Sequence, residues 1–258
     1  MSLTQKSDLK SHEFDLQGKV CLVTGAYSGI GKATAELFLE RGASVFEVDI
    51  KFERGKANKR SDKDYTYGAD LTLESDAKRA VEECKKTFGR IDVVGNCAGV
   101  EMHGTVVDLP IENFEKIMNT NVKSIFLVCK YSIPEILKST ERGSIINLSS
   151  DLGIQPIPSV DLYAASKGAI IALSKAMSKN WAKQGLRVNC IAPGPVDTPL
   201  LKRFFEDGTT LDFVKKYMIP AGRLGNPEEI ASVAAFLASD ASSFVNGAVI
   251  TVNGGLLG

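Results

Sequence analysis

Short apolar runs recur along the chain at intervals that leave room for a helix between them. Each run is rich in Val and Ile, as expected for strands buried on both faces of a sheet. These runs predict strands at residues 20–23, 44–48, 91–94, 144–148, 186–191 and 248–252, and a weaker strand near residues 65–68.

Between these runs, apolar positions recur at the period of an α-helix, which predicts helices at residues 30–41, 75–88, 111–137, 162–183 and 227–238. Alternating strands and helices are typical of repeated β-α-β units and a parallel sheet. No fixed-period repeat or linker divides the chain. The pattern therefore predicts one α/β domain, a doubly wound parallel sheet of the Rossmann type, over residues 16–258 after a flexible tail of residues 1–15. We interpret the basic segment 51–64 as a solvated surface loop rather than a phosphate-binding patch.

The composition is that of an ordinary soluble protein, with 44% hydrophobic and 24% charged residues. Because 31 basic residues balance 31 acidic ones, no long-range field would attract nucleic acid or a membrane surface. The N-terminal residues contain no apolar run, so we expect neither a signal peptide nor a membrane span. Five cysteines without a C-x-x-C pair and two histidines without H-E-x-x-H favour no metal site and a reducing, cytoplasmic location.

A glycine-rich turn at residues 24–31 joins the first predicted strand to the first helix. Gly25 permits a tight turn, Gly29 lets a pyrophosphate approach the backbone, and Gly31 allows close packing of the helix on the strand. The unpaired N–H groups of that helix would face the phosphates. Its G-x-x-x-G-x-G spacing differs from the commoner G-x-G-x-x-G. Its position nevertheless favours dinucleotide binding over a merely structural turn.

Asp49 ends the second predicted strand, 18 residues beyond Gly31. A carboxylate there can accept hydrogen bonds from the adenosine ribose and repel a 2′-phosphate. This position favours NAD over NADP, although Lys51 or Arg54 could in principle neutralise a phosphate.

Tyr163 is the one tyrosine of six that has a lysine, Lys167, four residues later, so the two side chains share a helical face. A phenol titrates near ~10, and a nearby ammonium can lower that value by favouring the phenolate. Such a pair alone is commonplace on protein surfaces. Ser149 and Ser150 follow a predicted buried strand, at the sheet edge where ligands bind, and a hydroxyl there can donate to a substrate carbonyl. The alternative is that the serines merely end the strand.

Together the motifs resemble the short-chain dehydrogenase/reductase family, in its shorter single-domain branch, over residues 18–255. The resemblance rests on the glycine-rich turn, Asn96-Cys97-Ala98-Gly99, Asn121, Ser150, Tyr163, Lys167 and Pro193-Gly194. It implies that Tyr163 is the general acid/base and that Lys167 lowers its pKa and holds the nicotinamide ribose. It also implies that Ser150 orients the substrate oxygen and that Asn121 holds a water. Ser150 is preferred to Ser149 because the family's serine lies thirteen residues before its tyrosine.

The resemblance also implies a set of cofactor-binding residues, with NAD as the expected cofactor and NADP as the weaker alternative. The set comprises Gly25, Tyr27, Ser28, Gly29, Ile30, Gly31, Asp49, Asp70, Leu71, Asn96, Ala98, Gly99, Tyr163, Lys167, Pro193, Gly194, Val196 and Thr198. Two positions depart from the family pattern. Cys97 replaces an asparagine and Asn253 an aspartate, and we expect neither to abolish activity because Asn96 is retained.

The expected function is interconversion of a secondary alcohol and a ketone by hydride transfer, on a small molecule such as a sugar, a polyol or a 3-oxoacyl compound. The resemblance implies a homotetramer. Residues 151–162 and 200–220 are the expected substrate walls, the second with Phe204, Phe205, Phe213 and Tyr217 as a mobile lid. The alternative is a non-catalytic Rossmann-fold sensor or binding protein for NAD, against which the filled Ser, Tyr, Lys and Asn positions argue. An epimerase or dehydratase would usually need a further substrate domain.

Overall fold

Strands and helices alternate along the chain in a computed structural model that describes residues 14–204, 212 and 214–257, without the side chains of residues 203, 204, 216 and 217. The strands are β1 (Val20–Thr24), β2 (Ser44–Arg54), β3 (Ala57–Lys59), β4 (Asp64–Gly68), β5 (Val93–Asn96), β6 (Ser144–Leu148), β7 (Arg187–Pro193) and β8 (Val249–Val252). The helices are α1 (Gly29–Glu40), α2 (Glu74–Phe88), α3 (Ile111–Met118), α4 (Ser124–Ser139), α5 (Asp161–Trp181), α6 (Pro199–Phe204) and α7 (Pro227–Ala238).

These strands form one sheet in the order β3-β4-β2-β1-β5-β6-β7-β8. All neighbouring pairs are parallel except β3 and β4, which are antiparallel. From β1 the chain builds outward through β2 to β4, then crosses back to add β5 on the other side of β1. Ligands of open α/β sheets bind at such a reversal, at the carboxyl ends of the strands. The predicted doubly wound α/β fold is confirmed.

The sheet is covered on both faces, which explains why its central strands are apolar throughout. Helices α2, α4 and α5 pack on one face, where Ile145 and Ile170 are fully buried. Helices α1 and α7 pack on the other, around Phe38 and Val45. Burying each such side chain contributes roughly 1.5–3 kcal/mol. With both faces covered, the open region lies at the carboxyl edge of the strands.

The prediction of a loop at residues 51–64 was wrong. Strand β2 continues to Arg54 through an irregularity at which Asp49 and Arg54 both pair with Gly68, and β3 adds an antiparallel strand at the sheet edge. An edge strand needs no apolar face, and charged side chains protect it from pairing with other chains. Hydrophobic alternation therefore gave no signal for this strand.

Most basic side chains of this segment are paired with neighbouring acids. Arg60 contacts the buried carboxylate of Glu47 at 3.0 Å, and Arg54 contacts Asp76 at 2.9 Å. Lys56 and Lys59 pair with Glu53 and Asp62 respectively. Their charges are therefore neutralised locally, which is inconsistent with a phosphate-binding patch.

The helix predicted over residues 111–137 is interrupted. It consists of α3, a π-helical turn over Asn119–Lys123, and α4, which contains Pro134. Single π turns inside helices often occur at functional sites, and this one contains the fully buried Asn121. The other predicted helices are present with bounds that differ by at most two residues.

Phe14, which the prediction assigned to the tail, is packed against the domain. The Phe14 ring packs edge-on against Phe236 at a centroid distance of 5.5 Å, and Leu16 is fully buried. The predicted tail residues 1–13 lie outside the described residues. None of the helices in the described ranges is both long and apolar enough to cross a bilayer.

Candidate active site

The loops that follow β1, β5, β6 and β7 meet at the carboxyl edge of the sheet and line a cavity of about 370 Å³. The predicted site residues on its wall are Ile30, Gly99, Ser150, Tyr163, Lys167, Pro193, Gly194, Val196 and Thr198. Other predicted residues are not among its lining, namely Gly25, Tyr27, Ser28, Gly29, Gly31, Asp49, Asp70, Leu71, Asn96, Ala98 and Asn121. The parallel sheet thus brings residues far apart in sequence to one site.

Two glycines of the turn after β1 are required by close backbone contacts. A Cβ on Gly25 would lie 2.7 Å from the Ala98 nitrogen, and Gly25 has a positive φ of 68°. A Cβ on Gly31 would overlap the Gly25 carbonyl oxygen. The turn therefore packs flush against the loop after β5 and brings the start of α1 close to β1.

The start of α1 has the features of an anion site. Ser28 occupies the N-cap position without a side-chain capping bond, and the first turn contains no acidic residue. The first N–H groups of a helix lack intrahelical partners and carry partial positive charge. The Thr198 methyl lies 3.3 Å from the position of a Cβ on Gly29, so the loop after β7 forms the opposite wall. A pyrophosphate fits the chemistry of this position.

Asp49 lies beside the glycine-rich turn at the end of the regular part of β2. Its Oδ2 accepts a hydrogen bond from the Tyr27 N–H at 3.2 Å, and its Oδ1 accepts one from the Lys51 N–H at 2.9 Å. Within the described residues no cation forms an ion pair with Asp49. The Arg54 guanidinium is paired with Asp76, which counts against the alternative that Arg54 neutralises a 2′-phosphate.

Asp70 and Leu71 follow β4 at the same edge of the sheet. The Asp70 carboxylate accepts hydrogen bonds from the Thr72 N–H at 3.0 Å and the Thr72 hydroxyl at 2.7 Å. Leu71 is buried in the core beside α2. Both residues therefore shape the turn into α2.

Asn96 lies inside the molecule rather than on the cavity wall. Its Nδ2 donates to Asn147 Oδ1 at 2.8 Å, which links β5 to β6. The next two backbone N–H groups, of Cys97 and Ala98, donate to the Thr24 hydroxyl at 3.2 and 3.3 Å. Asn96 thus links two strands inside the molecule. The sequence predicted instead that its side chain lines the cofactor.

Tyr163 and Lys167 lie one turn apart on α5, as predicted, and both are nearly buried, at 7% and 4% exposure. The Lys167 ammonium lies 5.6 Å from the Tyr163 ring centroid and donates to the Leu148 carbonyl at 3.0 Å. This anchor at the end of β6 directs the lysine toward the cavity. The two groups therefore share one wall.

The protonation equilibria of this pair differ from the prediction. Burial raises the pKa of Tyr163 above its usual value; Glu101 and Asp151 raise it further, and a hydrogen bond with Ser150 opposes them. Burial lowers the pKa of Lys167 to about 8, against the opposing effect of Glu101. The phenol pKa is therefore raised where the sequence predicted a lowered one, because burial and the two carboxylates disfavour the phenolate more than the Ser150 hydrogen bond favours it.

The two serines after β6 have different partners. The Ser149 hydroxyl donates to the Lys167 carbonyl at 2.8 Å and so ties the loop to α5. Ser150 Oγ accepts a hydrogen bond from the Leu152 N–H at 3.2 Å and donates to Asp151 Oδ1 at 3.1 Å. Of the two hydroxyls, that of Ser150 is the one that can turn toward a ligand.

Asn121 is placed by the π-helical turn next to the loop after β5. Its Oδ1 accepts from the Val100 N–H at 2.8 Å, and its Nδ2 donates to the Ser166 hydroxyl at 2.9 Å. A Cβ on Gly99 would lie 3.3 Å from Asn121 Oδ1 and 3.5 Å from Lys167 Nζ. The asparagine and the lysine therefore flank the same glycine.

The substrate side of the cavity is only partly as predicted. Asp151, Leu152 and Ile157 line it from the first expected wall, and Leu200, Leu201, Val214 and Met218 line it from the second. Phe205, Phe213 and the side chains of Phe204 and Tyr217, predicted as a lid, lie outside the described residues.

Two residues of the cavity wall, Glu101 and His103 in the loop after β5, were not predicted from the sequence. An acidic residue two positions beyond Gly99, at the edge where ligands bind, was the available signal. In the described parts of the chain no three His, Cys, Asp or Glu side chains are grouped as a metal site would need.

Known proteins resemble this chain over nearly its whole length. Residues 25–257 match the family model described as enoyl-(acyl carrier protein) reductase. A 3-oxoacyl-(acyl-carrier-protein) reductase from Thermotoga maritima is 40% identical over 247 residues, which cover 94% of this chain and 99% of that protein. An NAD-dependent glycerol dehydrogenase from Listeria innocua is 37% identical over 245 residues, 94% of this chain and 95% of that one. A Beutenbergia cavernae structure, titled as an NAD(P)-dependent gluconate 5-dehydrogenase with NADP bound, matches with a TM-score of 0.85 and 31% identity, covering 95% of this chain and 99% of that one.

Proposed function

The chain belongs to the short-chain dehydrogenase/reductase family and is an oxidoreductase that acts on CH–OH groups, and we propose that Tyr163, Lys167, Ser150 and Asn121 are its catalytic residues. The reaction is the interconversion of a secondary alcohol and a ketone, with NAD(H) as the cofactor. The observation that carries the proposal is the common cavity wall formed by Ser150, Tyr163 and Lys167.

Tyr163 acts as the acid in the reducing direction. When bound, NADH supplies the hydride that adds to the carbonyl carbon. The Tyr163 hydroxyl gives its proton to the carbonyl oxygen, and Ser150 donates a hydrogen bond to that oxygen as negative charge develops. A phenol is protonated at neutral pH, so Tyr163 carries the proton that this step needs. In the oxidising direction Tyr163 takes the proton back.

Lys167 restores the proton that Tyr163 gives up. Burial lowers the pKa of Lys167 to about 8, so the amine can both hold and release a proton near neutral pH. Its remaining N–H donors are free to turn toward ribose hydroxyls while one stays on Leu148. Asn121 Oδ1 and Lys167 Nζ both lie close to the position of a Cβ on Gly99, and we infer that Asn121 holds a water through which Lys167 exchanges protons with solvent.

The cofactor fits along the carboxyl edge of the sheet. The turn from Gly25 to Gly31 and the start of α1 would hold the phosphates, Asp49 the adenosine ribose, and the loop from Pro193 to Thr198 the nicotinamide. The uncompensated charge of Asp49 supports NAD over NADP. Both cofactors occur among the relatives: the Listeria protein is named as NAD-dependent, and the Beutenbergia structure contains NADP.

A screen of ketones and alcohols, followed by the absorbance of NADH, tests this function. Tyr163→Phe is expected to reduce kcat by about a thousandfold, since it removes the general acid, while the Kd for NADH stays unchanged. An active Tyr163→Phe protein would refute the mechanism. NADH binding by the wild-type protein without turnover of any compound would support a non-catalytic sensor instead.

We propose that the protein is a cytoplasmic homotetramer. Strand β8 is an uncovered edge of the sheet, with the fully exposed Phe244 nearby. Phe114 on α3 and Phe126 on α4 are also exposed, so apolar surface is available for contacts between copies. All five cysteines are free thiols, which supports a reducing compartment.

A further inference from the structure

Two carboxyl groups line the cavity without a role in the proposed reaction. Glu101 comes from the loop after β5, and Asp151 directly follows Ser150. Burial raises the pKa of Tyr163, and the charges of both carboxylates raise it further. Both groups therefore lie on the wall of the same cavity as the phenol and close enough to act on its charge.

The hydrogen-bonding capacity of these carboxyl groups is largely unused. Asp151 is only 3% exposed; its Oδ1 accepts from Ser150, whereas its Oδ2 has no hydrogen-bond partner. Among the described residues none donates a hydrogen bond to the half-buried Glu101 carboxylate. Buried acceptors in native proteins nearly always have a donor, and Asp151 Oδ2 lacks one among the described residues. A ligand rich in hydroxyl groups would supply the missing donors.

Positive charge is scarce on the same wall. The basic groups in the described lining are Lys167 and His103, and burial lowers the pKa of each. Lys202, just beyond the lining, is paired with Asp197 at 2.9 Å. A substrate carboxylate or phosphate would therefore lie near two acids. In the described lining, Lys167 would be the main positive charge available to pair with it.

We propose, on the basis of the proposed function, that the substrate is a neutral polyol or the corresponding hydroxyketone, and that Glu101 accepts a hydrogen bond from a hydroxyl next to the reacting carbon. Asp151 acts as a positioning residue: it accepts the Ser150 hydrogen bond until substrate binds, when the hydroxyl turns to the carbonyl oxygen. Burial raises the pKa of Glu101 to about 7 and that of Asp151 to about 6, so at pH 8 both carboxyl groups are largely ionised and repel an anionic substrate.

Matched ketones that differ in one group test this proposal. Dihydroxyacetone is compared at pH 8 with hydroxypyruvate, in which a carboxylate replaces one hydroxymethyl group. L-sorbose is compared with 5-keto-D-gluconate, in which a carboxylate replaces the hydroxymethyl group far from the ketone. The wild-type protein is expected to show at least a tenfold higher kcat/KM for the neutral member of each pair, which corresponds to about 1.4 kcal/mol.

Glu101→Gln removes the charge and keeps the shape of the side chain. For the neutral ketones it is expected to raise KM about tenfold with little change in kcat, and to narrow the preference over the anionic ketones. Glu115→Gln, which neutralises an exposed carboxylate on α3, is the matched control and should leave KM and the preference for neutral ketones unchanged. If no ketone is turned over, calorimetry measures binding of the same set to Tyr163→Phe loaded with NADH.

The outcomes separate the substrate class from the reaction. A wild-type preference for hydroxypyruvate or 5-keto-D-gluconate overturns the proposal and leaves the reaction in place. An unchanged preference in Glu101→Gln also overturns it. Binding of neutral ketones without turnover supports the substrate class and counts against the reaction. If the neutral ketones are neither bound nor turned over, the proposal is overturned.

Discussion

The carboxylate of Asp49 accepts hydrogen bonds from the backbone N–H groups of Tyr27 and Lys51, which hold it beside the glycine-rich turn. We expect the wild-type protein to use NADH at least tenfold more efficiently than NADPH, because a 2′-phosphate would approach this uncompensated charge. Asp49→Asn keeps the shape and removes the charge. It should reduce the NADH to NADPH ratio of kcat/KM by roughly tenfold or more.

Asp62→Asn serves as the control for this prediction. Asp62 is an exposed acid in the turn before β4, at the opposite edge of the sheet from Asp49, and is paired with Lys59. Its neutralisation changes the net charge equally but should leave the cofactor ratio where it was. A wild-type preference for NADPH, or equal shifts in the two variants, would show that Asp49 does not select the cofactor.

Residue types and spacings along the chain are enough to identify Tyr163, Lys167 and Ser150 as candidates, because a parallel sheet brings its carboxyl ends together. The direction of the phenol pKa could not be obtained in that way. It depends on the depth of burial and on Glu101 and Asp151, which come from other loops. The sequence showed which groups meet, whereas their protonation depends on packing.

At the scale of single elements, two helical glycines form a matched pair. A Cβ on Gly31 in α1 would overlap the Gly25 carbonyl oxygen, whereas a Cβ on Gly168 in α5 would lie 3.5 Å from the Gly153 oxygen, an ordinary contact. Gly31→Ala should therefore destabilise the protein by about 1–3 kcal/mol through overpacking and weaken NADH binding. Gly168→Ala should stabilise α5 by about 0.5–1 kcal/mol, since alanine is the better helix former.

Urea denaturation of both variants checks this prediction, with the Kd for NADH measured alongside. Equal stabilities for the two variants, or wild-type stability and NADH affinity in Gly31→Ala, would mean that the turn tolerates a side chain. The close packing of α1 on β1 would then not explain the glycine.

The parts of the fold that could be predicted are those with a strong periodic signal. The buried strands and long helices could be predicted from the spacing of apolar residues, because each of these elements must cover a face of the core. Strand β3 is short, polar and at the edge, so its pattern resembles a loop. The π-helical turn at Asn119–Lys123 continues the apolar period of its neighbours, and only its tertiary contacts, such as that of Asn121 with Val100, distinguish it.

At the scale of the whole molecule, the order of the strands creates the site. The crossing from β4 back to β5 places the glycine-rich turn, the loop containing Glu101 and the loop containing Ser150 side by side. Helix α5 lies beside the carboxyl end of β6 and supplies Tyr163 and Lys167. Cofactor and substrate would therefore meet at one edge of the sheet, with the phenol between them and the core.

The most direct test of the proposed reaction is the transfer of deuterium from NADH labelled at C4 to the product alcohol, followed by mass spectrometry in single turnovers. The wild-type protein should place one deuterium on the carbinol carbon of the product. Tyr163→Phe should do so at least about a hundredfold more slowly, because the oxygen no longer receives a proton from the phenol. Deuterium transfer at the wild-type rate by Tyr163→Phe, or an alcohol product without deuterium from the wild-type protein, would contradict the account.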